Sequence, residues 1–206
     1  ASVLLLRTLI TFPSTTTSIF GLISLLREPL GPVTETSEPL LEAMEKYGEG
    51  IDFNDPRTSK KEILRGRAAT PEVKAFFRKY GTDLCRGAKL KEGADIVIRE
   101  LKRRGALIHL ITSRDERLMP GVSQATIDFC AEKDIPYDGL HIGVHDKKEL
   151  CEKLGIISLT DDSIDTCRSL IGSKTTPILF TTQVNAEFDA GSIQRVADWI
   201  EVGDAM

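Results

Sequence analysis

Leu159-Thr160-Asp161-Asp162-Ser163-Ile164-Asp165 follows the apolar run Leu154-Gly155-Ile156-Ile157-Ser158 and leads into Thr166-Cys167-Arg168-Ser169-Leu170-Ile171. This stretch predicts a buried strand that stops at adjacent carboxylates and then turns into a helix. Negative charge then stands at the carboxyl edge of a sheet, the edge where open α/β sheets bind ligands. Carboxylates converging on one point repel each other unless something cationic lies between them. Mg²⁺ is the usual cation, since it takes one or two protein carboxylates and leaves positions for water and phosphate. The same residues also suit a simpler role, capping the helix that follows.

Working outward, the surrounding chain alternates strands and helices. Upstream, Glu92 to Arg104 reads as an amphipathic helix closed by Gly105, Ala106 to Thr112 as a strand, and Val122 to Lys133 as a helix. Leu140 to Val144 is a short strand and Lys147 to Leu154 a helix. Ile156 to Thr160 is the strand that carries the Asp pair, with a helix to about Ile171. Downstream, Pro177 to Thr182 is a strand and Gly191 to Glu201 a closing helix. This alternation predicts an α/β fold, a parallel sheet with helices on both faces. Ser2 to Ile10 reads as the first buried strand. Between it and residue 87 the pattern is helical: Ser37 to Tyr47, Thr58 to Leu64, and Thr70 to Tyr80 with a stop at Gly81. Residues 14–86 are therefore expected to be a small helical insertion.

At 206 residues the chain is long enough for one ordinary domain with such an insertion. A net charge of −4, with no clustered Lys/Arg run, argues against a nucleic-acid-coating protein. The four cysteines lie far apart without CxxC spacing, so reduced thiols are expected rather than a zinc knuckle or a disulfide framework. No apolar run is long enough for a transmembrane segment. The first 27 residues contain no Asp or Glu and are rich in Ser, Thr and Leu around Arg7 and Arg27. That is the composition of a transit peptide. With Ala as the first residue, the expectation is an intracellular protein, mitochondrial or plastid if a targeting sequence has been removed.

The predicted strand ends share one rim. Thr112-Ser113-Arg114 ends one strand, Asp161-Asp162 ends another, and Lys147 follows the strand between them in Val144-His145-Asp146-Lys147-Lys148. Hydroxyls and amides can donate to phosphate oxygens, an ammonium can neutralise them, and a carboxylate pair can hold a metal. Other readings of the same residues are plain: Thr112 and Ser113 as turn residues, Lys147 as a solvated side chain, and Arg114 to Arg117 as a solvated charge cluster. His109 is expected to be a packed histidine. His141 and His145 have no third partner at metal spacing.

The run from Leu90 to Asn185 resembles the haloacid dehalogenase superfamily, in particular its nucleotidase-like phosphatases with a helical cap inserted early in the chain. Leu110-Ile111-Thr112-Ser113-Arg114 is similar to the second motif of that family, with Thr112 as the phosphate-binding hydroxyl. His145-Asp146-Lys147 is similar to the third, and Thr160-Asp161-Asp162-Ser163-Ile164-Asp165 to the fourth, the acidic metal motif. There Asp162 would touch Mg²⁺ directly. The resemblance implies a three-layer parallel-sheet Rossmannoid core from residues 1–13 and 87–206, with residues 14–86 as the cap. It implies Thr112, Ser113 and Lys147 as phosphate-binding residues and Asp161, Asp162 and Asp165 as metal residues.

The same resemblance exposes a gap. These phosphatases attack phosphorus with an aspartate at the end of the first strand, and a second aspartate two residues on acts as general acid and base. Aligning on Thr11 puts Arg7 and Leu9 at those positions, and aligning on Pro13 puts Leu5 and Arg7 there. Neither register supplies a carboxylate, because the first acidic residue is Glu28. Arg7 is expected to substitute for the metal by pairing with the Asp residues, with no bound cofactor. The expected function is that of a catalytically inactive pseudophosphatase, a structural or regulatory subunit bound to other proteins. The alternatives are a phosphate- or nucleotide-binding module without turnover, and a Mg²⁺-dependent phosphohydrolase.

Overall fold

A computed structural model of the chain describes residues 32–35, 37–64, 66 and 68–206. The expected first strand, and with it Leu5, Arg7 and Leu9, lies outside the described residues. Within them the chain runs β1 (Thr34–Glu35), α1 (Ser37–Tyr47), α2 (Lys60–Leu64), α3 (Pro71–Arg86), β2 (Lys89–Leu90), α4 (Ala94–Arg103) and β3 (His109–Thr112). It continues α5 (Val122–Glu132), β4 (Gly139–Ile142), α6 (Lys147–Leu154), β5 (Ser158–Asp161), α7 (Ile164–Ser169), β6 (Thr176–Phe180), β7 (Gln194–Val196) and α8 (Trp199–Ala205).

The longer strands pair in parallel. β3 lies beside β4, with Leu110 opposite Leu140 and Thr112 opposite Ile142. β5, β6 and β7 form a second group, with Asp161 opposite Leu179 and Phe180 opposite Val196. Parallel neighbours need a long return, and α5 and α7 supply it for the β3–β4 and β5–β6 pairs. Successive strand residues point to opposite faces, and here both faces are buried. Leu110 packs with Ile98, Phe129 and Trp199, whereas Ile111 packs with Cys151, Ile156 and Leu159. Likewise Ile178 and Phe180 join the first of these clusters, and Leu179 turns to Ile164 and Cys167. A strand buried on both faces reads as a continuous apolar run. That is why the β3 and β6 stretches are legible in the sequence.

The helical stretch α1–α3 has a core of its own, in which Leu40, Met44, Ile63, Val73 and Phe76 are buried together. It leaves and rejoins the α/β part through adjacent strands, because β1 and β2 pair antiparallel with Thr34 opposite Leu90. It also packs on α5. Gly81, expected to stop a helix, instead lies inside α3, where an added Cβ would come within 2.6 Å of Met119 Cγ. The helix continues through this close approach and buries Cys85 one turn later. The Thr82 hydroxyl donates to the Pro120 carbonyl at 2.8 Å beside it.

The closing helix starts later than its sequence suggests. Gln194–Val196 extends as β7 along β6, and α8 begins only at Trp199, where the Asp198 carboxylate accepts from the Glu201 amide. Trp199 is buried, and its indole N–H donates to the Pro32 carbonyl at 2.8 Å, tying the last helix to the first described residues.

Candidate functional site

Three strand ends supply the rim. α6 is set in place by its own ends: the Asp146 carboxylate caps it by accepting from the Glu149 amide, and Gly155 closes it in a left-handed conformation, φ 68°. Lys147, the first residue of this helix, is buried rather than solvated, and its ammonium donates to Asp161 Oδ2 at 2.8 Å. The pair is nearly dry, with side-chain exposures of 3 % and 0 %. Asp161 Oδ1 accepts from the Ser163 amide at 2.8 Å. Both oxygens of Asp161 thus meet a donor within the chain. Taking two charges out of water is costly, and only close geometry with further hydrogen bonds repays it. The pair is also felt by its neighbours. The Cys151 thiol is pushed up to about 11, chiefly by burial, with the Asp161 charge adding to the effect.

The Asp pair does not cap α7. That role belongs to Ser163, whose hydroxyl accepts from the Thr166 amide at 3.2 Å. Asp162 is buried, and its backbone carbonyl is held by Asn185, whose side-chain amide donates to it and to the Phe180 carbonyl, both at 2.8 Å. Asn185 Oδ1 in turn accepts from the Thr182 amide and the Arg195 guanidinium. Nothing in the sequence marks Asn185 for this work, since its partners come from three separate segments. Asp165 is exposed in the first turn of α7.

Thr112 ends β3 fully buried, and its hydroxyl accepts from the Arg114 amide at 3.1 Å. Its carbonyl accepts from the Val144 amide at 2.9 Å, which ties this strand end to the loop that leads into Lys147. Ser113 is also buried. Arg114 overturns the reading of residues 114–117 as a uniformly solvated cluster. It is 3 % exposed, and its Nη1 donates to the Thr126 hydroxyl on α5 at 3.1 Å. Asp115 and Arg117 pair with each other at the surface, and His145 reaches Asp115 at 3.3 Å. The Arg117 guanidinium and amide, with His145 adding, hold the Asp115 carboxyl well below the usual carboxylate range.

His109 and His141, on β3 and β4, face each other with Nδ1 and Nε2 3.0 Å apart, and burial lowers both pKa values. His109 is therefore paired across the strands. Among the described residues no three His, Cys, Asp or Glu side chains are grouped to hold a metal ion. Asp161 is thus already bound to an ammonium and an amide within the chain. All four cysteines are buried and unpaired with one another.

Comparison with known proteins bears on the fold. No family model and no curated protein matches the chain. Among solved structures, a haloacid dehalogenase-like family hydrolase from Streptococcus pneumoniae aligns over 92 % of this chain and 99 % of its own, with 13 % identity and a TM-score of 0.61. The fold is haloacid dehalogenase-like. CbbY from Rhodobacter sphaeroides, solved in complex with phosphate, aligns over 89 % of this chain and 95 % of its own, with 15 % identity and a TM-score of 0.58. A HAD-superfamily hydrolase from Ehrlichia chaffeensis aligns over 90 % and 94 %, with 11 % identity and a TM-score of 0.51. The haloacid dehalogenase-like assignment thus rests on architecture, at identities where sequence carries little of it. No helix among the described residues is long and apolar enough to cross a membrane.

Proposed function

We propose that this chain is a pseudophosphatase, a phosphatase fold without phosphatase chemistry that serves as a structural or regulatory subunit of a protein assembly. In this reading residues 1–13 and 87–206 form the core and residues 14–86 a helical cap. The carrying observation is the buried Lys147–Asp161 pair, a rim cation supplied and neutralised by the chain itself. With it goes the composition of residues 1–27, which contain no carboxylate where the family resemblance requires a nucleophile and an acid/base. Residues that act as a unit in covalent catalysis cannot be lost together without losing nearly all of it. Arg7, at one of the two positions in either register, is then a second internal cation for the Asp pair.

A binding module without turnover is the second reading. It is favoured by the buried Thr112 and Ser113 at one strand end, tied to the loop that delivers Lys147. The phosphate reported with CbbY shows that this fold accommodates the anion in that protein. The third reading, a Mg²⁺-dependent phosphohydrolase, would need ligands beyond Asp161 and Asp162.

The test is turnover of p-nitrophenyl phosphate and nucleoside monophosphates with Mg²⁺. The expected result is none above background, with a stable protein partner recovered on native purification. Turnover that Asp162→Ala abolishes would overturn the proposal in favour of the enzyme. Thermal stabilisation by a nucleotide without turnover would favour the binding module.

A further inference from the structure

His109 opens β3, and His141 lies on β4 directly opposite Ile111. Side chains two apart along a strand share a face, so both imidazoles stand on the face that carries Ile111. His109 Nδ1 and His141 Nε2 are 3.0 Å apart, and the ring planes meet at only 19°. Both residues are partly exposed. The residue opposite His109 is Gly139, where an added Cβ would lie 2.6 Å from His109 Nδ1 and 2.8 Å from His141 Nε2. Two ring nitrogens on neighbouring strands thus converge on one point, above a backbone that carries no side chain there. His109 stands three residues before Thr112, about 10 Å back along the strand. The pair is therefore distinct from Lys147 and Asp161, and nothing assigned to the rim uses it.

In the free chain one N–H between the rings holds the nitrogens together. Imidazole nitrogen is also a ligand for copper, nickel and zinc, and only the neutral ring binds them. Burial lowers both pKa values, which keeps both rings neutral near pH 7. With nitrogens 3.0 Å apart, metal–nitrogen bonds of about 2.1 Å would close an angle of about 90° at the ion. That is the angle between neighbouring ligands in a square-planar or octahedral ion, the geometries of Cu²⁺ and Ni²⁺, and it is too narrow for tetrahedral Zn²⁺. Asp138 adds negative charge beside His109, its carboxylate held by Lys102 and by the Ile108 amide. We infer that His109 Nδ1 and His141 Nε2 form a two-imidazole site for Cu²⁺, and more weakly for Ni²⁺, with water in the remaining positions. On binding, the N–H between the rings gives up its proton, and the ring that carried it is protonated instead at its outer nitrogen. Both rings stay neutral and no net proton is released. With two protein ligands, the site fills when the ion is supplied and empties in chelator, and it stands whether or not the rim binds phosphate.

The test is calorimetric titration of the full chain, stripped with chelator and dialysed, with Cu²⁺, Ni²⁺ and Zn²⁺ in a non-coordinating buffer. Electron paramagnetic resonance follows the copper form. The expected result is one Cu²⁺ per chain with a tetragonal spectrum that carries couplings from two imidazole nitrogens. Affinity should fall in the order Cu²⁺, Ni²⁺, Zn²⁺. His109→Gln and His141→Gln should each lower Cu²⁺ affinity by at least about tenfold, because each breaks the chelate. His145→Gln, which removes the third histidine, should leave it unchanged. Gly139→Ala keeps both imidazoles but sets a methyl group where their nitrogens converge, so it should weaken Cu²⁺ as much as losing either ring. This variant decides the matter if a glutamine variant fails to fold. No Cu²⁺ uptake by the wild type, or uptake unchanged in His109→Gln, in His141→Gln or in Gly139→Ala, would overturn the inference. Zn²⁺ binding as tightly as Ni²⁺ would overturn the geometric assignment.

Discussion

Lys147 and Asp161 are a pair that neither residue can leave cheaply. Lys147→Met strands a carboxylate with no exposure beside a single amide, and the expected loss is about 3–5 kcal/mol of unfolding free energy. Adding Asp161→Asn to it should cost less than the sum of the two single changes, with a coupling of about 1–3 kcal/mol. Urea unfolding of the four proteins measures this, and strict additivity would deny the pair. Asp115 makes a different prediction. Its folded pKa is depressed, first by the Arg117 side chain, so the unfolded chain takes up the proton first as pH falls. The stabilisation is therefore complete above the ordinary carboxylate value of about 3.9 and is lost as pH drops below it. Asp115→Asn should lose less melting temperature than the wild type between about pH 5 and pH 2. Identical acid limbs would contradict it.

At the scale of elements, β3 and β4 are locked by side chains as well as by their ladder. An added Cβ at Gly139 would come within 2.6 Å of His109 Nδ1 and 2.8 Å of His141 Nε2. Gly139→Ala should thus push the two rings apart and cost about 1–3 kcal/mol. A changed resonance of the imidazole N–H between the rings would report it, and an unchanged histidine spectrum would refute it. How far elements were legible depended on whether their signals are local. Helix α6 carries its cap, its charges and its closing glycine within ten residues, from Asp146 to Gly155, and was readable end to end. Helix α3 was misread at Gly81 because the reason for that glycine, Met119, is a distant residue. The three-residue β7 and the two-residue β1 and β2 are too short to show periodicity. Among site residues, the order Thr112, Lys147, Asp161 was visible at strand ends. Arg114 was not, because its burial is decided by Thr126 and by the packing of α3, and its charged neighbours made it look solvated.

At the scale of the whole molecule, the last helix is tied back to the first described residues. Trp199, the only tryptophan, packs with Phe180 and donates to Pro32, so its emission reports on the intact α/β part. Emission should be that of a buried indole and should shift red only on global unfolding. It should be unchanged by excess EDTA, with the melting temperature moving by less than about 1 °C. A fall of several degrees in chelator would show that a bound ion holds the rim together. The Lys147–Asp161 bridge carries a wider consequence. Where a counter-charge is written into the polypeptide, the Asp161 carboxylate meets its ammonium as soon as the chain folds, before anything from the surroundings can reach it.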